Sequence, residues 1–137
     1  KYYKPEIPLN VTKYLLKFAN SSIDVSDGLI DDLAKMINRQ SLSFHLFENK
    51  IPVSNKLSNL IKKQRLNKIN LISNGDDYQV LFTADIKKAR IIQKASKTTG
   101  IKITKIGKIV SGKDRSLIFD EKGKQIQAKS KGYIHQF

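Results

Sequence analysis

A chain of 137 residues, of which 39% are hydrophobic, is long enough to bury the core of one ordinary globular domain. The sequence excludes a membrane-spanning helix, because no apolar run approaches the roughly 20 residues that a bilayer requires. The absence of cysteine excludes disulfides and thiolate metal sites. The formal net charge is +14 at pH 7, from 26 basic and 12 acidic residues.

The basic excess allows two interpretations. Few of the basic residues are arginines, and the lysines are spread along the chain without a motif in which basic and aromatic residues alternate. This distribution favours a solvated basic surface, and binding to a polyanion stays open as the alternative. We therefore expect neither a nucleic-acid nor a membrane partner. The lack of cysteine is compatible with a cytoplasmic location, and the start at Lys1 rather than Met leaves open a processed or excised piece.

Hydrophobic periodicity predicts helices and strands that alternate along the chain. In the first half we predict an extended lead-in over 1–9, a helix from 10 or 12 to 20, a strand over 22–26, a helix over 27–40, a strand over 42–47 and a helix over 54–65. In the second half we predict a polar turn over 71–77, a strand over 78–83, a helix over 85–99, a strand over 101–110 bent at Gly107, and a hairpin of 116–120 with 125–128. This order indicates an α+β or α/β domain with a mixed sheet covered by helices.

The first motif, residues 22–33, is a strand that turns directly into a helix. On the strand, apolar residues alternate with Asp24 and Ser26, and either Ser26 or Asp27 is able to cap the helix that follows. Carboxylates and a hydroxyl thus gather at a helix N-terminus, where N–H groups are free and the dipole is positive. Such a place suits a metal-bound phosphate, with acids on a hard cation such as magnesium and N–H groups on phosphate oxygens.

The alternative interpretation of the first motif is ordinary helix capping, since Ser and Asp are common at helix starts. Capping does not account for Asp24, which lies on the strand before the turn.

The second motif, residues 73–78, contains an Asn-Gly pair, two adjacent carboxylates (Asp76 and Asp77) and an apolar strand directly afterwards. Glycine lets a backbone approach a ligand closely. Taken alone, the segment is an ordinary Asn-Gly-Asp turn. Two acidic turns beside strand ends in one short domain shift the interpretation towards a binding site.

Together these segments resemble the C-terminal domain of the thiamine-monophosphate kinases, in the superfamily of aminoimidazole ribonucleotide synthetase and selenophosphate synthetase. The resemblance covers essentially the whole chain. It rests on IDVSDGL at 23–29 with Asp32 and Leu33, GDDY at 75–78 with LFT at 81–83, IGKI at 106–109, and GYIHQF at 132–137.

The chain departs from the family pattern in three respects. The family usually has Gly-Gly-Glu-Asp-Tyr-Glu at the second motif, where this chain has Asn74 and the shorter Asp76. The family tail usually ends Gly-Tyr-x-His-Phe, whereas Gln136 is inserted here. The family's N-terminal domain, which carries further metal-binding aspartates and the main nucleotide contacts, is absent from this chain.

The resemblance implies an α+β fold, a mixed β-sheet layered with α-helices like the C-terminal domain of aminoimidazole ribonucleotide synthetase. Residues 1–137 would form the single C-terminal domain of a two-domain kinase. The implied reaction is ATP-dependent phosphorylation of thiamine monophosphate to thiamine diphosphate, with Mg²⁺ as cofactor and direct transfer that needs no catalytic nucleophile. By motif position, Asp24 and Asp27 would bind magnesium, Ser26 the nucleotide, and Asp76 and Tyr133 the thiamine phosphate substrate.

The resemblance further implies that the isolated chain is inactive or nearly so and that the parent enzyme is a cytoplasmic homodimer. Three alternatives stay open. One is another enzyme of the same superfamily, such as a selenophosphate synthetase or a cyclo-ligase. The others are a basic nucleic-acid-binding module and a degenerate domain kept only for assembly.

Overall fold

The computed structural model describes residues 9–38, 40–72 and 79–127. Within these ranges helices alternate with strands, as the periodicity predicts. The helices are α1 (Leu9–Phe18), α2 (Leu29–Ile37), α3 (Asn55–Gln64), α4 (Lys68–Ile72) and α5 (Ala89–Thr99). The strands are β1 (Ala19–Asp24), β2 (Leu42–Phe47), β3 (Val80–Ala84), β4 (Gly107–Ser111), β5 (Leu117–Phe119) and β6 (Gln125–Ile126). Short 3₁₀ turns lie at Glu48–Lys50 and Ile86–Lys88.

The described strands form two sheets. In the larger sheet the order is β4-β2-β5-β6, and β2 pairs antiparallel with β4 but parallel with β5. In the smaller sheet β1 pairs antiparallel with β3. The larger sheet is therefore mixed, as we predict, and the combination of mixed and antiparallel pairing with separate helices is an α+β arrangement.

The core lies between the apolar face of α2 and the larger sheet. Leu29, Leu33 and Ile37 recur at helical spacing along α2, and all three are buried. From β2, the side chains of Phe44 and Leu46 are buried against them. The remaining buried residues of this cluster come from the loops, α4 and β5: Val25, Ile51, Ile69, Ile72 and Ile118.

Several predicted elements are confirmed. β2 has the predicted bounds, and α3 matches the helix predicted over 54–65, with Ser54 as its N-cap accepting the N–H of Leu57. α5 ends at Thr99 as predicted, and Gly100 follows it in the left-handed conformation. The predicted hairpin is formed by β5 and β6, with Gly123 in its turn at a φ of 78°.

Other predictions about the first half of the chain are wrong. α1 ends at Phe18 and β1 begins immediately afterwards, so the strand starts earlier than predicted. Leu16 is 92% exposed although it is apolar, because Val11 and Phe18 supply the buried face of α1. α2 is shorter than predicted and begins at Leu29, since residues 25–28 form a loop in which Gly28 has a φ of 133°.

In the second half, part of the predicted polar turn is helical, because Ile69 and Ile72 bury one face of α4 in the core. Ile86 is apolar but 69% exposed, since it lies in the 3₁₀ turn before α5 and not on the buried face of that helix. The strand predicted over 101–110 begins only at Gly107, where pairing with Leu46 starts. None of the described helices is both long and apolar enough to cross a membrane.

Candidate functional site

The first motif lies at the end of β1, beside the strand that follows the second motif. Asp24 is the last residue of β1 and is opposite Val80 in the register with β3. One residue further, the N–H of Val25 donates to the carbonyl of Gln79 at 2.9 Å. Gln79 directly follows the second motif in sequence. The pairing of β1 with β3 therefore places the first motif next to the residues that directly follow the second motif in sequence.

The loop between β1 and α2 is organised by a buried carboxylate, that of Asp32. Its Oδ2 accepts the main-chain N–H groups of Ser26, Asp27 and Gly28 at 2.9, 3.0 and 3.2 Å. Asp32 is 1% exposed and lies in the first turn of α2. A charge at this depth is tolerated because hydrogen bonds replace the water that it has lost.

This arrangement corrects two predictions. The N-cap position of α2 is Gly28, with a φ of 133°, and it makes no side-chain cap, so neither Ser26 nor Asp27 caps the helix. The N–H groups of residues 26–28 are also not open to a phosphate, because Asp32 already accepts them. The carboxylate one turn into the helix takes the place that a capping side chain or a bound anion would occupy.

A lysine links two of the acidic residues of the first motif, Asp27 and Asp32. Lys35 Nζ donates to Asp27 Oδ2 and, at 2.9 Å, to Asp32 Oδ1. Hydrogen bonds to Asp27 and Asp32 raise the pKa of the Lys35 ammonium. For Asp32, burial by itself raises the carboxyl pKa, but the hydrogen bonds from Lys35 and the three amides outweigh it and hold the pKa below its ordinary value. Asp32 is therefore an anion at neutral pH.

Three of the predicted site residues lie close together along the chain, Asp24 as the last residue of β1 and Ser26 and Asp27 on the loop that follows it. Asp24 and Ser26 are exposed, and Asp27 is partly exposed and held by Lys35. The other two predicted site residues, Asp76 and Tyr133, lie outside the described residues.

The donor set of this loop fits a magnesium ion in type. Magnesium takes oxygen ligands and is commonly held by one or two carboxylates, with water and substrate phosphates in the other positions. Asp24 and Asp27 supply two carboxylates, and Asp27 already contacts a cation, the ammonium of Lys35. Across residues 9–38, 40–72 and 79–127 no three metal-binding side chains are clustered closely enough to hold an ion alone. The loop is thus suited to supply part of a metal site.

Asp32 and Lys35 have structural roles that the sequence analysis missed, although a signal was available. Asp32 falls on the same helical stripe as Leu29 and Leu33, so the apolar periodicity places a carboxylate on the buried face. A buried carboxylate requires partners, and Lys35 is three residues further along the helix, within reach of it.

Comparison with known proteins gives a consistent result. No family model matches the chain. A curated thiamine-monophosphate kinase from Buchnera aphidicola subsp. Schizaphis graminum is 32% identical over 136 residues, which are 98% of this chain and 41% of that relative. The chain therefore spans about two fifths of the length of this relative.

Solved structures agree with this similarity. The structure of AaThiL complexed with AMPPCP and TMP has a TM-score of 0.70 and 28% identity, with 96% of this chain and 38% of that chain covered. Thiamine-monophosphate kinase from Stenotrophomonas maltophilia K279a has a TM-score of 0.67 and 26% identity, with 82% of this chain and 34% of that chain covered. These similarities confirm the α+β fold and the resemblance that the motifs indicate.

Proposed function

We propose that this chain, which belongs to the thiamine-monophosphate kinase family, is the C-terminal part of an enzyme that phosphorylates thiamine monophosphate to thiamine diphosphate with ATP. The observation that carries the proposal is the similarity to such kinases along 98% of the chain. It is supported by the solved neighbour complexed with AMPPCP, an ATP analogue, and TMP. Residues 1–137 would be one domain of a two-domain kinase, and the remaining domain would supply further metal and nucleotide contacts.

The proposed residue roles follow the motif positions. Asp24 and Asp27 would hold Mg²⁺, and Ser26 would contact the nucleotide. Their presence on one loop at the end of β1 supports this division. Asp76 and Tyr133 would bind thiamine monophosphate. The hydrogen bond between Val25 and Gln79 supports a common site for the two motifs. Val25 lies in the first motif, and Gln79 directly follows the second motif, which contains Asp76.

The chemistry matches what these residues are able to supply. In phosphoryl transfer to a phosphate, both reactants are polyanions and the acceptor oxygen is already anionic, so alignment and charge neutralisation matter more than a nucleophile or a strong base. Bound magnesium would supply that neutralisation. Asp24 is exposed and therefore accessible to a cation, and Asp27 is partly exposed on a loop whose main chain is held by Asp32. We assign no covalent catalytic residue.

The parent enzyme would be a cytoplasmic homodimer that binds ATP, thiamine monophosphate and Mg²⁺. Neither a nucleic-acid partner nor a membrane partner is part of this proposal.

The test uses a chimera in which this chain replaces the matching 41% of the Buchnera relative. We expect the chimera to form thiamine diphosphate from thiamine monophosphate and Mg·ATP. Asp27→Asn in the same chimera should reduce the rate by at least about 100-fold, because a metal ligand loses its charge. Product would be measured by chromatography, and circular dichroism would establish that both proteins are folded.

A folded chimera without product would contradict the kinase proposal. It would then be assayed as a selenophosphate synthetase and as a cyclo-ligase, the other superfamily reactions. Equal activity in Asp27→Asn and the unmodified chimera would contradict the metal role of Asp27 alone. Binding to nucleic acid that falls steeply with salt and ignores Asp27→Asn would favour the basic binding module instead.

A further inference from the structure

We propose that Asp32 is the positioning residue of the first motif: its carboxylate fixes the loop of residues 26–28 and thereby sets the metal affinity of Asp27. This inference rests on the proposed function, because it concerns the magnesium ligand assigned there. Asp32 itself need not touch metal, nucleotide or substrate.

The first line of evidence is the pattern of hydrogen bonds. A single oxygen, Oδ2 of Asp32, accepts three consecutive main-chain N–H groups, at 2.9 to 3.2 Å. Three bonds to one fixed acceptor constrain the direction of every peptide between Val25 and Gly28. The side chains of Ser26 and Asp27 leave the backbone within this constrained segment, so the position of Asp32 determines where they begin.

The second line of evidence is the rigidity of the acceptor. Asp32 is 1% exposed, on the face of α2 that also carries Leu29 and Leu33 into the core. The packing of α2 against the larger sheet thus fixes the carboxylate. Positions of metal ligands held in this way by buried partners are more precise than those on unsupported loops.

The third line of evidence is that Asp32 and Lys35 make different contacts and therefore have different roles. Oδ2 of Asp32 binds the amides, whereas Oδ1 binds Lys35 Nζ. Lys35 also contacts the carboxylate of Asp27, which is the proposed metal ligand, so its ammonium competes with a metal ion for that group. The two side chains are therefore expected to act in opposite directions: Asp32 favours metal binding by holding the loop, and Lys35 opposes it.

The test is an NMR experiment on the 137-residue chain, with Mn²⁺ alone as the probe. Amide exchange at residues 26–28 reports on the loop, and paramagnetic broadening of the Asp24 and Asp27 resonances reports on metal binding. The variants are Asp32→Asn, Lys35→Met and, as the matched control, Asp31→Asn. Asp31 is adjacent to Asp32 on α2, and its carboxylate forms no ion pair with any residue in the described ranges. Protection of the Leu46 amide establishes that each variant is folded.

We expect Asp32→Asn, whose uncharged amide oxygen is a weaker acceptor than the carboxylate, to have reduced amide protection at residues 26–28 and to need about tenfold more Mn²⁺ for half-maximal broadening. Asp31→Asn should retain both properties. Lys35→Met should retain the amide protection and bind Mn²⁺ at least as tightly as the unmodified chain. If the Asp32–Lys35 pair only stabilised the fold, its removal would weaken both properties. If Asp32→Asn fails to fold, Asp32→Ser, which retains a short uncharged acceptor, takes its place.

Two results would overturn the inference: undiminished protection of the amides at residues 26–28 in the folded Asp32 variant, or unchanged Mn²⁺ affinity after that protection is reduced. A different result would mark the failure of the proposed function. If the unmodified chain shows no selective broadening at Asp24 and Asp27, the metal assignment itself is wrong and the role of Asp32 falls with it.

Discussion

At the scale of single residues, the described part of the chain buries the carboxylate of Asp32 beside its hydrophobic core. An unpaired ionised carboxylate at 1% exposure would be very costly, but Asp32 is surrounded by three N–H donors and an ammonium. Hydrogen bonds between a charged group and fixed donors are among the strongest in proteins. The same contacts that make the burial of Asp32 tolerable also define the loop that carries Asp27.

The lowered pKa of Asp32 predicts a specific dependence of stability on pH. Because the folded pKa is below the unfolded value, the ionised carboxylate stabilises the fold above the unfolded pKa of about 4, and this contribution is lost as pH falls through the folded pKa. At pH 7 we expect Asp32→Asn to lower the free energy of unfolding by about 1–3 kcal/mol. The difference between the two proteins should shrink as pH decreases below about 4.

Urea unfolding of both proteins between pH 2.5 and 7, a range chosen to bracket the ordinary aspartate pKa, checks this expectation. The partly exposed Asp31 offers a matched control, since Asp31→Asn should change stability by no more than about 0.5 kcal/mol. A stability difference for Asp32→Asn that is independent of pH would show that the lost interaction does not depend on the charge of the carboxylate.

At the scale of elements, β2 is the strand on which the larger sheet depends. It has neighbours on both sides, antiparallel β4 and parallel β5, and it contributes Phe44 and Leu46 to the core. Close approach of the strands is part of this arrangement: a Cβ at Gly107 would collide with the carbonyl of His45. Buried residues of α2 pack against the same strand. The larger sheet and α2, the helix that follows the proposed site, therefore share one core.

Leu46→Ala tests this shared core. Leu46 is 1% exposed, and its truncation should lower the free energy of unfolding by about 2–5 kcal/mol, because a cavity replaces the lost side-chain contacts. Leu16→Ala is the matched control, since Leu16 is 92% exposed and its truncation should change stability by no more than about 0.5 kcal/mol. Chemical unfolding measures both. Equal effects of the two substitutions would contradict the described packing.

At the scale of the whole molecule, the chain provides a folded core and part of a site. It spans 41% of a related kinase, and the loop at the end of β1 gathers two carboxylates, Asp24 and Asp27, within a chain of net charge +14. The net positive charge attracts any polyanion at long range and by itself sets no specificity.

The isolated chain should form no measurable thiamine diphosphate from thiamine monophosphate and Mg·ATP. Its proposed metal site has only two carboxylates on the described loop, and phosphoryl transfer requires both phosphate-bearing substrates to be aligned by further contacts. The measurement compares the chain alone with the chimera at equal concentration. Turnover by the chain alone at a rate near that of the chimera would refute the division of the site between two domains.

The sequence by itself determined the alternation of elements, the bounds of β2, the hairpin at Gly123 and the acidic loop before α2. Each of these depends on local patterns, namely side-chain periodicity, turn residues and acids next to a strand end. The motif resemblance also predicted the fold and the related family correctly.

Only the tertiary structure decided the rest. Leu16 and Ile86 fit an apolar helical face in the sequence, yet both are exposed, because burial depends on which side of an element finds a partner. The helix at Lys68–Ile72, which was not predicted, extends into the start of the turn predicted over 71–77, since Ile69 and Ile72 reach the core. Asp32 replaces the expected cap because α2 places its carboxylate within 2.9 to 3.2 Å of three loop amides. This contact depends on both the path of the loop and the burial of the helix.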